Sequence, residues 1–348
     1  MVQKIRALGL ISGGLDSTLA ARLLIDQGIE VRGLYFSTGF CLSDPNKKEH
    51  GSEGPRGNLC HEALKVGEDL RFAVDVIDVS EEYLDIVTNP RWGYGKNANP
   101  CIDCRMMMLR KAKQLLEKYQ ARFVFTGEVL GQRPMTQHRA TMRQLEKGSG
   151  LDGYLLRPLS ALRLAITEVE QQALVDRTRL KGFTGRGRKP QMALAAELGL
   201  ESYPQPAGGC CFLTDPVYGR KFHDFLKHLP EGQKVTQEDF ILLKIGRHLR
   251  LSDRLKIVVG RNEAENNALE PFARNRWSLL PVDVVGPLAV LEGDVTEDDL
   301  KFAAQVVARY SDGKHLDAVK IAVTGENTER ELLVAPLEEE ETQQYIFK

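Results

Sequence analysis

The sequence predicts an α/β protein: a doubly wound parallel sheet followed by a smaller C-terminal α+β domain. Strand-like and helix-like segments alternate through the first 125 residues, and a glycine-rich turn follows the first strand-like run. After about residue 225 the pattern changes to short strands around one amphipathic helix. Alternation of strand and helix is typical of a parallel sheet with helices on both faces.

Hydrophobic periodicity assigns the elements of the first domain in chain order. An apolar, β-rich run at residues 4–11 predicts the first strand, and Leu19, Ala20, Leu23 and Leu24 recur at helical spacing within 18–26. Further strands are expected at 31–36, 72–79 and 123–125, and further helices at 61–70 and 105–118. Residues 38–58 lack periodicity and are rich in Asp, Pro, Lys, Gly and Ser, which predicts a long surface loop.

The rest of the chain divides at a seam that we place at 218–230. Residues 165–200 resume a helical pattern, interrupted by a basic, glycine-punctuated run at 177–189. We therefore expect an α/β domain at 1–160, a helical extension with a second cysteine site at 161–225, and an α+β domain at 226–348. In that last domain, strands are expected at 241–251, 255–259, 277–291, 318–323 and 331–334, and a helix at 297–310.

Composition excludes several classes of protein. Hydrophobic residues make up 42% of the 348 residues and charged residues 27%, which fits a soluble globular protein rather than a disordered or collagen-like one. Lys and Arg total 47 against 48 Asp and Glu, so any site for a polyanion must be local. No apolar run approaches the roughly 20 residues that cross a bilayer. We expect a cytoplasmic protein without a membrane segment, whose six cysteines serve metal or sulfur chemistry.

The hexapeptide SGGLDS at residues 12–17 lies between the first strand and the first helix, where doubly wound sheets bind anions. Two glycines let the backbone approach a phosphate closely, and two serines supply hydroxyl donors. A carboxylate beside phosphates indicates Mg²⁺ held between them, which gives Asp16 its role. The alternative is a plain glycine turn with Asp16 or Ser17 as a helix cap. The candidate phosphate ligands are Ser12, Gly13, Gly14 and Ser17.

The cysteines form two candidate groups. Cys101 and Cys104 make a C-x-x-C pair at the start of a helical segment, where the helix dipole lowers the thiol pKa. Cys210 and Cys211 follow two glycines about a hundred residues later. Four ligands would suit zinc or a closed iron–sulfur site, whereas three would leave one iron of a [4Fe–4S] cluster open. Spacing predicts that the other two thiols, Cys41 and Cys60, are unligated.

The hexapeptide at 12–17 resembles the S-G-G-x-D-S loop of the PP-loop ATP pyrophosphatases. The resemblance implies a fold like the adenine nucleotide alpha hydrolases and cleavage of ATP between the α and β phosphates. That family includes tRNA thiolases, GMP synthetase, NAD synthetase and argininosuccinate synthetase, and the loop does not choose among them. In PP-loop thiolases a glycine after the strand expected at 123–125 lines the nucleotide, and this role falls to Gly127. The nearby Gln132, Arg133 and His138 face substrate or are ordinary exposed residues.

The cysteine segments carry a closer resemblance, which covers roughly residues 1–215. The Asn-Pro before Cys104, and the G-x-C-F of residues 209–212, resemble the segments that hold two functional cysteines in bacterial tRNA 2-thiouridylases. The chain departs from that pattern at Arg105, where the family has Asn, and at Cys101, where it usually has Asp. The added thiol is similar to the three-cysteine, [4Fe–4S]-dependent tRNA thiolases. This resemblance implies Cys101, Cys104 and Cys211 as cluster ligands, with Cys210 as the replacement candidate and structural zinc as the alternative.

The basic run at 177–189 is dense enough to neutralise several phosphates, and its glycines let it follow a curved backbone. Because the rest of the chain is net acidic, this concentration of charge predicts RNA as the partner; the alternative is a solvated loop. The candidate RNA contacts are Arg177, Arg179, Lys181, Arg186, Arg188 and Lys189.

The C-terminal domain resembles the small RNA-binding type of domain found in NFACT proteins. The resemblance lies in Gly-Arg-His at 246–248, Val-Gly-Arg-Asn at 259–262 and the strands around them. It implies a second tRNA contact, unless these arginines are ordinary surface residues at strand edges. The arginines concerned are Arg247, Arg250, Arg254 and Arg261.

Together these features predict ATP-dependent tRNA thiolation, in which ATP adenylates a pyrimidine carbonyl oxygen and sulfur then displaces AMP. Asp16, Cys104 and Cys211 are the expected catalytic residues. ATP, Mg²⁺ and a [4Fe–4S] cluster are the expected cofactors, and the alternative to the cluster is zinc or a persulfide on Cys104 or Cys211. The expected partners are tRNA and a sulfur donor, either sulfide or a persulfide carrier, and a homodimer is left open. The rival functions are a PP-loop amidotransferase or ligase and a non-catalytic RNA-binding protein with structural zinc.

Overall fold

The structure is a computed structural model that describes residues 4–40, 59–200, 203, 211–325 and 328–347. The predictions for Cys41 and Cys210 lie outside these residues, as does the side chain of Cys60. The described residues form two compact units, one up to Thr214 and one from Asp215 onward.

The first unit alternates strands and helices and ends in a mostly irregular segment. Short 3-10 turns lie at Ala161–Arg163, Arg177–Arg179 and Phe212–Thr214. Its strands are β1 (Arg6–Leu10), β2 (Glu30–Ser37), β3 (Val74–Asp78), β4 (Phe123–Thr126) and β5 (Leu155–Leu156). Its helices are α1 (Leu15–Ile25), α2 (Leu59–Leu70), α3 (Ser80–Thr88), α4 (Cys101–Lys118), α5 (Arg139–Ser149), α6 (Glu168–Gln171) and α7 (Lys189–Glu197).

Strands β1 to β5 form a parallel sheet in the order β3-β2-β1-β4-β5. This order confirms the predicted doubly wound sheet. The strand order reverses at β1 and β4, and the crevice outside the carboxyl ends of such a pair is where open α/β sheets bind ligands. The segments that follow β1 and β4 therefore start at the same edge, side by side.

Strands β1 and β4 pack closely because the core around them is fully buried and a glycine leaves room for a neighbouring ring. Ala7, Leu8 and Phe125 are completely buried in the two central strands. A side chain at Gly9 would lie 2.3 Å from the ring of Phe125, so glycine makes room for the aromatic ring of the neighbouring strand. Helix α1 covers the sheet with buried residues such as Leu19.

The second unit is an antiparallel sheet with helices, which confirms the predicted smaller α+β domain. Its sheet has the order β11-β10-β8-β9-β7-β6. Its strands are β6 (Arg247–Ser252), β7 (Leu255–Val259), β8 (Ser278–Pro281), β9 (Ala289–Gly293), β10 (Val319–Gly325) and β11 (Thr328–Val334). Its helices are α8 (Pro216–Lys227), α9 (Gln237–Leu242), α10 (Glu263–Ala273), α11 (Glu297–Arg309) and α12 (Glu339–Thr342).

Several elements differ from the sequence prediction. The strand expected at 241–251 begins only at Arg247, because Thr236 and Asp239 form a capping box that starts α9. Residues 277–291 divide into β8 and β9. Helices α3, α5, α8, α9, α10 and α12 were not predicted, and the helical pattern at 165–200 contains only the short helices α6 and α7 and a 3-10 turn. In the described ranges, no helix is both long and apolar enough to span a membrane.

Candidate functional site

The loop at residues 12–17 connects β1 to α1, where the sequence predicts a phosphate site. Gly13 has a φ of 77°, a left-handed conformation that favours glycine. A Cβ atom at Gly13 would also lie 2.6 Å from Cβ of Glu62. Glycine at this position therefore permits both the turn and the close approach of α2.

The first turn of α1 begins at a glycine. Gly14 is the N-cap residue, and among the described residues the first turn has no side-chain cap hydrogen bond. The Ser17 hydroxyl instead donates to the Gly14 carbonyl at 2.8 Å and lies 3.3 Å from the Ser12 hydroxyl. The alternative of Asp16 or Ser17 as a helix cap is thus not what the loop adopts. Uncapped amides at a helix N-terminus are suited to bind an anion.

Asp16 points its carboxylate toward the segment that follows β4. Gln132 Nε2 donates to Asp16 Oδ2 at 2.9 Å. The other oxygen, Oδ1, is buried and has no hydrogen-bond partner among the described residues. A buried carboxylate oxygen without a donor fits a ligand of Mg²⁺, because hard divalent cations bind carboxylate oxygen.

Gly127 lies directly against the first turn of α1. A Cβ atom there would be 2.4 Å from the carbonyl carbon of Asp16 and 2.5 Å from the amide nitrogen of Ser17. Glycine therefore allows the end of β4 to contact the phosphate loop backbone to backbone.

The loop at 130–137 connects the phosphate loop to the cysteine pair. At one end Gln132 holds Asp16. Further along, Met135 Sδ lies 3.3 Å from Nδ2 of Asn99, and the same Asn99 amide donates to Cys101 Sγ at 3.1 Å. Asp16, the 130–137 loop and Cys101 thus form one connected surface. The two other residues predicted here, Arg133 and His138, are exposed.

Cys101 and Cys104 lie in the first turn of α4 and are half-buried. Residues three apart on a helix share a face, so both thiols lie on one side of α4. The buried carboxylate between them, Asp103, accepts backbone N–H groups of Arg91 and Trp92 at 3.0 and 3.2 Å. Asp103 therefore anchors the preceding turn.

Cys211 is buried, and its segment is hydrogen-bonded to the residues just before α4. The amide of Ala98 donates to the Leu213 carbonyl at 3.1 Å, and the amide of Phe212 donates to the Phe40 carbonyl at 3.0 Å. The two cysteine segments, far apart in sequence, are therefore neighbours in the first unit. Within the described ranges, no group of three or more His, Cys, Asp or Glu side chains lies within reach of one metal ion.

A buried charge network, absent from the sequence prediction, joins α4 to β4. Glu128 is 2% exposed; Arg157 Nε donates to its Oε2 at 3.0 Å, and Arg105 Nε lies 3.3 Å from its Oε1. Burial alone would raise the pKa of Glu128, but the charges of Arg105 and Arg157 outweigh it and hold the pKa below the usual value. The sequence signal was Arg105 itself, which departs from the 2-thiouridylase pattern.

The basic run divides into two parts in the structure. Arg177 pairs with Glu170, whose side chain is 1% exposed, and donates to the carbonyls of Ala161 and Leu164 at 2.8 and 3.1 Å. Arg179 donates to the Asp26 carbonyl at 2.8 Å. These two guanidinium groups therefore bind groups within the first unit.

The second part of the run lies beside the 130–137 loop. The amide of Gly185 donates to the Leu130 carbonyl at 2.8 Å, two residues before the glutamine that holds Asp16. Lys181 precedes this bond and is half-buried. Of the three cations that follow it, Arg186 and Lys189 are exposed and Arg188 is half-buried, with its Nε buried and without a partner among the described residues. The segment that carries these predicted RNA contacts thus adjoins the loop that contacts Asp16.

The four C-terminal arginines mostly have partners within their own unit. Arg250 pairs with Asp224, Arg254 with Asp299 at 2.9 Å, and Arg261 with Glu265. The guanidinium carbon of Arg247 lies 5.0 Å from the centre of the Tyr310 ring. Local carboxylates thus partly neutralise this surface.

Comparison with known proteins matches the two parts of the chain separately. Residues 2–164 match the family model described as thiamine biosynthesis protein (ThiI), and residues 246–346 match the model described as NFACT protein RNA binding domain. The chain is similar to tRNA-specific 2-thiouridylase MnmA of Cytophaga hutchinsonii, with 32% identity over 71% of this chain and 66% of that protein. It is also similar to MnmA of Deinococcus radiodurans, with 25% identity over 70% of this chain and 60% of that protein.

The alignments thus span less than two thirds of these relatives' lengths. Among solved structures, a 4-thiouridine synthetase–RNA complex with bound ATP aligns with 56% of this chain and 51% of that chain, at 16% identity and a TM-score of 0.34. The two family models and the similarity to the 2-thiouridylases confirm the resemblance to PP-loop tRNA thiolases in the first unit and to the NFACT RNA-binding domain in the second.

Proposed function

We propose that this protein is an ATP-dependent tRNA thiolase that replaces a pyrimidine carbonyl oxygen with sulfur. The observation that carries the proposal is the 130–137 loop, which contacts Asp16 through Gln132 and the Asn99–Cys101 pair through Met135. A phosphate loop and a thiol pair on one connected surface suit a reaction that uses ATP and sulfur in succession.

The first step activates the base. The pyrimidine oxygen attacks the α-phosphorus of ATP, the bond to the β-phosphate oxygen breaks, and pyrophosphate leaves. The uncapped amides of α1 and the hydroxyls of Ser12 and Ser17 would hold the pyrophosphate. The unpartnered oxygen of Asp16 would bind Mg²⁺, which offsets the negative charge of the phosphates.

The second step replaces oxygen with sulfur. A hydrosulfide attacks the activated carbon, the carbon–oxygen bond breaks, and AMP leaves with the former carbonyl oxygen while a proton is lost to solvent. Cys101, Cys104 and Cys211 are the candidate sulfur-handling residues, because α4 and the 211–214 segment are bonded through Ala98 and Leu213.

By their chemistry, three thiolates suit a [4Fe–4S] cluster with one open iron, although as they stand the described residues bring no three such side chains within reach of one metal ion. When bound, such a cluster would supply Lewis acidity toward the incoming sulfur. The hydrogen bond from Asn99 to Cys101 Sγ would help to orient this sulfur.

A persulfide on Cys104 or Cys211 is the alternative source of sulfur. Its terminal sulfur attacks the carbon, the carbon–oxygen bond breaks and AMP leaves. The second thiol then attacks the sulfur of the first cysteine, which breaks the sulfur–sulfur bond, releases the thionucleoside and leaves a disulfide between the two cysteines. A dithiol reductant is needed to restore the two thiols, so the two routes differ in their requirement for a reductant.

RNA reaches the site from the side of the basic run. The bond between Gly185 and Leu130 supports this direction, because it brings the segment with Arg186 and Arg188 beside the 130–137 loop. The target base must leave its stack to reach both ATP and sulfur. The C-terminal unit, which matches an RNA-binding domain model, would hold another part of the tRNA.

The test uses protein purified without oxygen, tRNA that lacks thionucleosides, ATP, Mg²⁺ and sulfide. Nucleoside digests analysed by mass spectrometry should contain a thiopyrimidine, and AMP should form in about equal amount. Iron and zinc counts on the same sample separate the cluster from structural zinc. AMP formed without any thionucleoside, with sulfide or a persulfide donor and a dithiol, would contradict the proposal.

A further inference from the structure

One buried carboxylate lies between the cysteine helix and the nucleotide strand. Glu128, two residues after β4, is 2% exposed. Arg157 donates to its Oε2, and Arg105 forms an ion pair with its Oε1. Thr126 donates to Oε2 as well, at 3.0 Å. Arg157 in turn pairs with Glu146 of α5, so Glu128 is held rigidly on that side.

Each end of this link is one residue from a group that the reaction needs. Arg105 directly follows Cys104 in α4. Glu128 directly follows Gly127, whose Cα packs against the backbone of Asp16. The Arg105–Glu128 ion pair therefore joins the segment with Cys104 to the segment that packs on Asp16, the candidate Mg²⁺ ligand.

The two arginines play different parts. Arg157 is as deeply buried as Glu128, with its side chain 1% exposed, and removing it would leave a buried charge without compensation. The Arg105 side chain is 25% exposed, and its Nε lies 3.3 Å from an oxygen that has no hydrogen bond among the described residues. Arg105 can thus be replaced while the buried Glu128–Arg157 pair stays intact.

We propose that Arg105, acting through Glu128, is a positioning residue that fixes Cys104 relative to the activated base, so that sulfur and not water reaches the carbon. The inference rests on the proposed function. Water attack would restore the carbonyl with a water oxygen and release AMP, so a misplaced thiol would waste ATP. A displacement of about 1 Å from the productive geometry can cost about 100-fold in rate.

The experiment measures AMP and thionucleoside in the same anaerobic reaction for wild type, Arg105→Ala and Arg105→Lys. The wild-type ratio of AMP to thionucleoside should be about one. Arg105→Ala should raise it at least about tenfold while ATP is still consumed. Arg105→Lys, which keeps the charge but loses the planar guanidinium, should fall between the two.

Arg32→Ala is the matched control. Arg32 makes a two-pronged ion pair with Asp75 between β2 and β3 of the same sheet, with Nε 2.6 Å from Oδ2. Loss of that pair, or a merely structural role of Arg105, would lower both products together and leave their ratio unchanged. An unchanged ratio in Arg105→Ala overturns the inference.

A second readout separates the inference from the proposed function. ATP and Mg²⁺ should change the alkylation rate of Cys104 in wild type, and this response should be lost in Arg105→Ala. If wild type forms no thionucleoside, the proposed function fails, and the alkylation response alone decides whether the link exists. An identical response in both proteins overturns the link.

Discussion

Gln132 donates a 2.9 Å hydrogen bond to Asp16 across 116 residues of sequence. The bond joins the segments that follow β1 and β4, the two strands at which the sheet order reverses. It leaves one oxygen of Asp16 without a protein partner among the described residues. The candidate magnesium ligand is thus held through one carboxylate oxygen, while its other oxygen is buried and has no partner among the described residues.

Replacing Asp16 with Asn should remove ATP turnover while preserving the fold. The amide keeps the shape of the carboxylate but loses the charge that Mg²⁺ requires, and we expect AMP formation to fall at least about 100-fold. Pyrophosphate and AMP release measure the effect, and tRNA affinity should be nearly unchanged. Asp26→Asn, near the other end of α1, removes only an exposed ion pair with Arg22 and should act like wild type. Full AMP production by Asp16→Asn would remove Asp16 from the mechanism.

A methyl group at Gly127 should disrupt the contact between β4 and the phosphate loop. Its Cβ would lie 2.4 Å from the backbone of Asp16, a contact that forces the two segments apart. We expect Gly127→Ala to lose about 1–3 kcal/mol of unfolding free energy and to bind ATP more weakly. Denaturant unfolding and equilibrium nucleotide binding measure the two effects.

Gly187→Ala is the control, because a Cβ atom at that glycine would meet no atom of the described residues within 4 Å. Equal stability and equal ATP affinity for the two alanine variants would show that the close approach at Gly127 carries no function.

The two parts of the basic run should respond differently to substitution. Neutralising Arg186, Arg188 and Lys189 together should weaken tRNA binding and flatten its salt dependence by roughly two to three units of slope, at about 0.9 per phosphate contact. Arg177→Ala should instead cost about 3 kcal/mol of stability, because the buried Glu170 keeps its hydrogen bonds from Thr167 but loses its ion-pair partner.

Neutralising the exposed Lys4, Lys65 and Lys147 is the matched control for the triple variant. If both triple variants give the wild-type slope, the run is a solvated loop.

The sequence was informative wherever a short segment determines its own geometry. The loop at 12–17 could be predicted because glycines, a strand and a helix in order define such a loop locally, whereas Gly127 was expected only from the resemblance to PP-loop thiolases. The contact of Gln132 with Asp16 could not, because it depends on how β4 is placed beside β1. In the sequence, Arg177 and Arg186 are equivalent cations of one basic run. Only the structure shows that Arg177 pairs with the buried Glu170 whereas Arg186 is exposed.

The network around Glu128 was missed for the same reason. Arg105, Glu128 and Arg157 are spread over three segments, and no local pattern marks them as one buried cluster. Helix α10 was missed because its start depends on Asn262, whose side chain accepts the amide of Glu265, and because its sequence contains Pro271. The identity of the sulfur-handling cysteines stays a prediction.

Cys101 distinguishes a cluster from a persulfide and from zinc. If three thiolates hold a cluster, Cys101→Ala should lose iron and thiolation together, as should Cys104→Ala and Cys211→Ala, while ATP binding survives. Cys210→Ala should do much less. Iron content, absorption spectrum and thionucleoside yield measure this in protein prepared without oxygen.

The other two chemistries give different patterns for the same variants. With a persulfide, Cys101→Ala keeps most of the activity, because the extra thiol only tunes its neighbour. With structural zinc, the protein is colourless and each ligand change lowers stability rather than sulfur transfer alone. A brown protein whose Cys101→Ala variant is colourless yet fully active would contradict the cluster.

The fate of the pyrimidine oxygen tests the central claim most directly. Transcribed tRNA carrying heavy oxygen in its pyrimidine carbonyl groups is incubated with the protein, ATP, Mg²⁺ and sulfide, and the AMP is analysed by mass spectrometry. Adenylation of the base predicts that AMP carries the heavy oxygen in an amount equal to the thionucleoside formed. Thionucleoside formed with AMP that contains only ordinary oxygen would contradict the account.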